Sequence, residues 1–314
     1  MRYFSTFTGV GGFEIGIRNA YANYHSEKSK ERDTNNAHLR VTPGEAKPDT
    51  VPVCVGFSEI DKYASAVLRY RSPDTKNYGD ITKIDWSTVP DFDLLVGGSP
   101  CQSFSVAGKR AGFAGASGLF WEYLRCLKEK QPEYFIWENV KGCLSSNHGY
   151  DFAAILNSFS EAGYSLWWQV LNAKDFGVPQ NRERIFVVGS RNRPAREVLF
   201  ERGENRKDPG TIQRCPIRFL ERNQKNIQGD YAFTVDAGQT AGVTDGMRVR
   251  RLTLLECERL MSWPDDWTKY GLYHERGRPG DVEVYETSDS QRYKMCGNGV
   301  VSKVVEEVVR AHLL

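Results

Sequence analysis

The chain has 314 residues, 40% hydrophobic and 26% charged, which is ample for a sizeable core and excludes a disordered or fibrous protein; a net charge of +2 names no partner. Seven cysteines, at 54, 101, 126, 143, 215, 257 and 296, form no CxxC pair and are odd in number, which argues against a disulfide framework or a thiolate zinc site and for a reducing cytoplasm. The opening run from Met1 to Phe7 is too short for a signal-peptide core, and no apolar run approaches the roughly 18 residues of a membrane span, so no membrane role is expected.

The first element is a strand, Arg2–Thr6, followed by Phe7-Thr8-Gly9-Val10-Gly11-Gly12-Phe13 and a helix whose buried face is Phe13, Ile17, Ala20, Tyr21 and Tyr24. Strand, glycine turn and helix make a nucleotide-type loop, because glycine lets backbone approach a ligand and a helix start offers free N–H groups. The spacing GxGG departs from the GxGxxG dinucleotide fingerprint, which weighs against a nicotinamide cofactor. Residues 23–50 are polar, charged and short of apolar side chains, and read as a surface insertion or loop. A second strand over 51–57 ends in Ser58-Glu59-Ile60-Asp61, and Glu59 stands where a ribose hydroxyl is commonly held. The next helix carries Tyr63, Ala66, Val67 and Tyr70, and Asp80 beyond it suits either an adenine amino group or a turn.

The apolar run 92–96 and two glycines precede Pro100-Cys101-Gln102, so Cys101 sits at the carboxyl end of a buried strand, where open α/β sheets bind ligands. It is a candidate nucleophile, against the alternative of a small buried hydrophobe. A helix bearing Phe120, Tyr123, Leu124 and Leu127 is closed by Pro132, and a strand over 134–137 leads into Glu138-Asn139-Val140. Glu138 thus shares the sheet edge with Cys101, and burial among aromatic residues would raise its pKa into the range of a useful acid. Extended alternation through Gln180-Asn181-Arg182-Glu183-Arg184, ahead of a strand over 185–188, would put Arg182 and Arg184 on one face, either aimed together at one ligand or as a solvated edge strand, the reading this segment alone favours. From 182 to 225 ten arginines and two lysines face five glutamates and one aspartate, a footprint for phosphate backbone or a solvated basic surface.

These blocks, with Arg251-Leu252-Thr253, Glu256-Cys257-Glu258-Arg259-Leu260 and Gly297-Asn298-Gly299-Val300, stand in the order of the DNA (cytosine-5)-methyltransferase family, which the chain resembles over nearly its whole length. Two positions depart from the family pattern, Gly118 where an arginine is common and Ser262 where a glycine is usual. The resemblance implies a doubly wound α/β sheet of the S-adenosylmethionine-dependent, Rossmann-like type with a second, smaller target-recognition domain. Residues 1–189 and 288–314 would form the catalytic domain, and 190–287 the DNA-binding one. Val301, Val304, Val305 and Val308 give the last helix its buried stripe. Carried over by motif, Cys101 would add to cytosine C6, Glu138 would serve N3, and Arg182 and Arg184 would hold the base. Phe7, Gly9, Gly11, Glu59, Asp80, Pro100, Leu119 and Asn298 would hold S-adenosylmethionine, with S-adenosylhomocysteine as product and no metal. The target cytosine would be flipped from the duplex, with the stretch 102–118, which carries Lys109 and Arg110, closing over it.

The implied partner is double-stranded DNA bound by a monomer in the cytoplasm of a bacterial, archaeal or phage-infected cell. A cognate restriction endonuclease in the same system is compatible with this reading. Two rival readings stand beside it. A transfer-RNA cytosine-5 methyltransferase would carry a Cys-Phe-Thr signature that is missing here, and a catalytically silent DNA-binding relative would have lost a motif residue.

Overall fold

The structure, a computed structural model, describes residues 1–35, 51–100, 118–194, 200, 215–218, 227–228, 232–235, 241–244, 249–274 and 282–314. Strand β1 (Arg2–Thr6) matches its expected bounds and leads through the glycine turn into helix α1 (Gly12–Asn35). Strand β2 (Val53–Ser58), helix α2 (Lys62–Arg71), strand β3 (Leu94–Gly97), helix α3 (Gly118–Lys130) and strand β4 (Tyr134–Val140) follow. Helix α4 (Tyr150–Glu161), strand β5 (Ser165–Asn172), the two-residue β6 (Gln180–Asn181) and strand β7 (Glu183–Ser190) complete the first half.

Among the described residues the main sheet has six strands in the order β2-β1-β3-β4-β7-β5. Strands β2, β1, β3 and β4 run parallel, and β7 lies antiparallel to both β4 and β5. Period-two alternation divides the strand side chains between two cores. Tyr3, Leu94, Val96, Ile136, Phe186 and Val188 join α1 on one face. Phe4, Leu95, Phe135, Trp137, Ile185 and Val187 join α3 and α4 on the other. Both faces are covered, as a doubly wound sheet requires.

Short strands β8 (Cys215–Arg218), β9 (Ile227–Gln228), β11 (Ala241–Thr244) and β12 (Val249–Arg251) form a second sheet in the order β12-β11-β8-β9, while β10 (Ala232–Phe233) pairs in parallel with β6. Helix α5 (Leu254–Leu260) opens on a capping box in which the Thr253 hydroxyl accepts from the Glu256 N–H and the Glu256 carboxylate accepts from the Thr253 N–H. Hairpin strands β13 (Tyr270–His274) and β14 (Val282–Glu286) precede helices α6 (Asp289–Asn298) and α7 (Ser302–Leu313).

The valine stripe of α7 is buried, as expected, and the helix lies against α1. A Cβ on Gly16 would lie 2.6 Å from Val305 Cβ and 2.7 Å from the Ser302 carbonyl, so only glycine permits this approach. Leu252, Cys257, Leu260, Met261, Trp263 and Trp267, counted in the sequence reading with the smaller domain, are buried in the same core as Val10, Phe13 and Val305. Residues 23–35, expected as part of a surface insertion or loop, are not loop but continue α1. Asn23 donates to Glu306 Oε1 at 2.7 Å, and Arg310 donates to both Glu27 oxygens at 2.7 and 2.9 Å, so this polar extension is tied to α7 by charge rather than by an apolar stripe. Residues 36–50 lie outside the described residues.

Candidate active site

Strand register assembles the site. Ser58 pairs with Thr6, Thr6 with Gly97, and Gly97 with Trp137, so four parallel strands reach one level together. The residues that follow this row are the Phe7 turn, Glu59, Gly98 to Pro100, and Glu138. The carboxyl-end placement expected from the sequence is therefore a property of the pairing.

The glycine turn has three left-handed residues, Phe7 at φ 51°, Gly9 at 60° and Gly11 at 93°. A Cβ on Gly9 would meet nothing within 4 Å, so the turn is open on that side. The Gly9 N–H donates to Glu59 Oε2 at 2.7 Å, and the Asp61 N–H donates to Glu59 Oε1 at 2.7 Å. Burial raises the Glu59 carboxyl above its ordinary value, while the bonds from Asp61 and Gly9 hold it down. Asn77 continues the network: its side chain donates to the Glu59 carbonyl at 3.0 Å and accepts from the N–H groups of Glu59 and Gly79. Asp80 therefore lies one residue from a junction fixed to Glu59. Its own carboxylate caps the following turn, accepting from Thr82 N–H and hydroxyl at 3.0 and 2.8 Å, and is held below its ordinary pKa by those bonds.

Phe7 and Leu119, the latter in the first turn of α3, pack on the same core cluster. The α6–α7 link reaches the glycine turn through Ser302, whose hydroxyl donates to the Gly12 carbonyl at 2.7 Å. Trp263 packs against Gly12 and Gly299, and Asn298, the last residue of α6, is exposed beside them.

At the β3–β4 edge, Gly98 passes over Glu138; a Cβ there would lie 2.8 Å from Glu138 Oε2 and 2.9 Å from its carbonyl, which excludes any side chain. On the opposite face of β4, Trp137 Nε1 donates to the Ser99 hydroxyl and Asn139 Nδ2 donates to the Ser99 carbonyl, each at 3.2 Å. Trp137 and Asn139 thereby fix the entry to Pro100. No local sequence signal gives either residue this task, although alternation puts them together on the face away from Glu138. Pro100 is exposed; Cys101, Lys109 and Arg110 lie outside the described residues.

Glu138 makes an ion pair with Arg184, Nε to Oε1 at 3.1 Å, with both side chains largely shielded. The register explains the meeting, since Val140 pairs with Arg184 and Glu138 with Phe186. Burial raises the Glu138 carboxyl above its ordinary value, against the pull of Arg184 and then Arg182. This agrees with the expectation of an acid poised above the usual carboxylate range.

Arg182 departs from expectation. It lies between β6 and β7, where alternation breaks, and it pulls on the Glu138 carboxyl less strongly than Arg184 does. Its guanidinium is buried and donates to the carbonyls of Val235, Gly297 and Gly299 at 3.0, 3.0 and 2.7 Å. Among the described residues no group of three or more His, Cys, Asp and Glu side chains is arranged to hold a metal.

Comparison with known proteins agrees with this geometry. The family model for C-5 cytosine-specific DNA methylase matches residues 1–232 and 195–313. Orphan methyltransferase M.SPRI of Bacillus phage SPR is 38% identical over 78% of this chain and 49% of its own length. Type II methyltransferase M.BsuFI of Bacillus subtilis is 32% identical over 99% of this chain and 72% of its own, and M.NgoBI of Neisseria gonorrhoeae is 36% identical over 79% and 82%. The chain thus spans about half the length of the phage SPR relative and about a third of M.NlaIV of Neisseria lactamica, with 49% and 34% of those proteins matched. Dnmt2 methyltransferase of S. pombe superposes with a TM-score of 0.64 at 17% identity, covering 99% of this chain and 98% of that one. For Entamoeba histolytica methyltransferase EhMeth the TM-score is 0.62 at 12% identity, covering 98% and 96%. These two likenesses concern the fold; the family model and the sequence relatives together show that the chain belongs to the C-5 cytosine-specific DNA methylase family.

Proposed function

We propose that this protein transfers a methyl group from S-adenosylmethionine to C5 of a cytosine within a short sequence of double-stranded DNA. The observation that carries the reading is the Glu138–Arg184 pair lying beside the Pro100 loop on the same strand-end row as the glycine turn and Glu59. The residues fit the cofactor. The space beside Gly9 admits a ligand against backbone, and Glu59, fastened to that turn, keeps lone pairs for hydroxyl donors. Phe7, Gly9, Gly11, Glu59, Asp80, Pro100, Leu119 and Asn298 would hold it. When bound, it supplies an electrophilic methyl on a sulfonium centre.

The remaining chemistry belongs to this chain. Cytosine C5 is a poor nucleophile until a thiolate adds at C6, which makes the ring an enamine; Cys101 is that nucleophile. Negative charge then develops toward N3, and Glu138, whose carboxyl burial raises above its ordinary value, serves there as the acid. Arg184 orients Glu138 through their ion pair and would serve the C2 carbonyl. After methylation, loss of the C5 proton and elimination free the thiolate. Because a stacked base exposes neither C6 nor N3 to these groups, the cytosine is turned out of the helix.

Residues 190–250, ahead of the stretch buried in the first core, would supply target reading, with the basic run from 191 to 225 on phosphates. The protein works in this reading as a cytoplasmic monomer, and the type II names of its relatives suggest a cognate endonuclease as partner. The test is incubation with methyl-labelled S-adenosylmethionine and either duplex DNA or transfer RNA, followed by mass spectrometry of the nucleosides. The reading expects labelled 5-methyldeoxycytidine; label in RNA alone would replace it with the transfer-RNA reading, and label in neither would favour a silent binder.

A further inference from the structure

The two-residue strand β6 is where β10 docks, with Ala232 opposite Gln180 and Phe233 opposite Asn181. Thr234 adds a hydroxyl bond to the Asn181 carbonyl at 2.8 Å. At Val235, which is 2% exposed, the ladder continues through side chains. The Val235 N–H donates to Gln180 Oε1 at 3.0 Å, and the Val235 carbonyl accepts from Arg182 Nη1 at 3.0 Å. Both backbone polar groups of a buried residue in the recognition segment are thus satisfied by Gln180 and Arg182.

Each of these side chains also reaches a second element. Gln180 Nε2 donates to the Leu260 carbonyl at 2.7 Å, at the end of α5. Arg182 Nη2 donates to the carbonyls of Gly297 and Gly299, at 3.0 and 2.7 Å, on either side of Asn298. Carbonyls at a helix end lack intrahelical partners and carry the negative pole of the helix, so a guanidinium satisfies them especially well. Its planar fork fixes both directions at once, which an ammonium on a flexible stem does not.

We propose that Arg182 is a positioning residue that couples the recognition segment to the cofactor end of α6, acting through Val235 on one side and Gly297 and Gly299 on the other. Gln180 is the companion strut. The proposal rests on the methyltransferase reading, in which Asn298 faces the cofactor and the strands around Val235 belong to the DNA-reading part. A shift of the Val235 strand on target binding is then transmitted to Asn298 through one rigid group, and by linkage cofactor binding affects DNA affinity equally.

The experiment first establishes which duplex the wild-type protein methylates. It then measures S-adenosylhomocysteine affinity by calorimetry, with and without that duplex, for wild type, R182K, Q180M and R184K. Wild type should bind S-adenosylhomocysteine at least about fivefold tighter with the duplex, the lower bound of common allosteric couplings. R182K and Q180M should bring that ratio below about twofold while affinity without DNA stays within about threefold of wild type. R184K should keep the coupling and lose kcat instead. Retained coupling in both R182K and Q180M, or no coupling in wild type, overturns the proposal. So does an R182K that keeps the coupling and loses kcat as R184K does, because that marks a base contact. If R182K fails to unfold cooperatively, Q180M alone decides by the same ratio. A wild-type protein that methylates no DNA defeats the underlying reading before any variant is compared.

Discussion

Replacing Glu138 with glutamine separates the chemical role of this residue from its structural one. The amide keeps the side-chain shape and an oxygen toward Arg184 Nε, which lies 3.1 Å from Glu138 Oε1, but it cannot present an acid proton. Because the amide keeps an oxygen for the Arg184 donor, E138Q should lose only about 0.5–1.5 kcal/mol of stability. The rate should fall further. Losing one preorganised donor to developing charge typically costs about 10²–10³-fold in kcat, or about 2.7–4 kcal/mol. The pH profile supplies a second readout. Because burial raises the Glu138 carboxyl in the folded protein, its proton persists above the ordinary carboxylate range and is lost as pH rises through the raised value. Wild-type single-turnover rates should therefore decline on the alkaline side of that titration, and E138Q should lack that limb. Its contribution to stability has the same sign, greatest at low pH and lost as the folded-state carboxyl ionises. Single-turnover methylation from pH 5.5 to 9, with DNA affinity and thermal unfolding measured alongside, checks all three. A variant whose DNA affinity drops as much as its rate, or which retains the alkaline limb, would refute the assignment.

Two further predictions concern the scaffold. Burial raises the Glu14 carboxyl from 4.5 to about 7, with Ser5 and Arg18 opposing, so between those values the unfolded chain ionises while the folded protein keeps its proton. Stability from this group is whole below 4.5 and falls by about 3 kcal/mol as pH rises through 7. Urea unfolding of E14Q and wild type should show a gap that widens by that amount in favour of E14Q between about pH 4 and pH 8.5; a constant gap would contradict the buried carboxyl. Gly16→Ala gains helix propensity of about 1 kcal/mol but drives a methyl against Val305 and a carbonyl, an overpacking cost of about 1–3 kcal/mol. Thermal unfolding should show net destabilisation, and an unchanged or raised Tm would mean that α1 and α7 do not pack this closely.

Much of the architecture was legible because alternation and apolar runs are local signals. Arg2–Thr6 emerges with its expected bounds, and the valine stripe of α7 returns to α1. Residues 23–35 were misread because a helix projecting past its core needs no apolar face. Their Glu, Lys and Arg residues favour helix, and the ties from Asn23 and Glu27 run to a helix almost three hundred positions away, with sequence separations of 283. Arg182 and Arg184 were aimed together by assuming an unbroken strand, and the interruption between β6 and β7 turns Arg182 inward onto three carbonyls. Glu138 was legible as a strand-end acid, but its partner came from antiparallel register between β4 and β7, which no local pattern encodes. The burial of 252–267 in the first core was hidden for a related reason. Trp263 and Trp267 find their partners at Val300 and Val10, far along the chain.

The central claim, nucleophilic addition to cytosine C6 by Cys101, is tested most directly by trapping. Purified protein is incubated with S-adenosylmethionine and a duplex carrying 5-fluorocytosine, in which fluorine at C5 blocks the final elimination, and adducts are mapped by mass spectrometry. The account predicts one covalent protein–DNA species after methyl transfer, attached at Cys101 and absent from Cys101→Ser. Attachment at another residue, or methylation of ordinary DNA by the serine variant at a substantial rate, would contradict it.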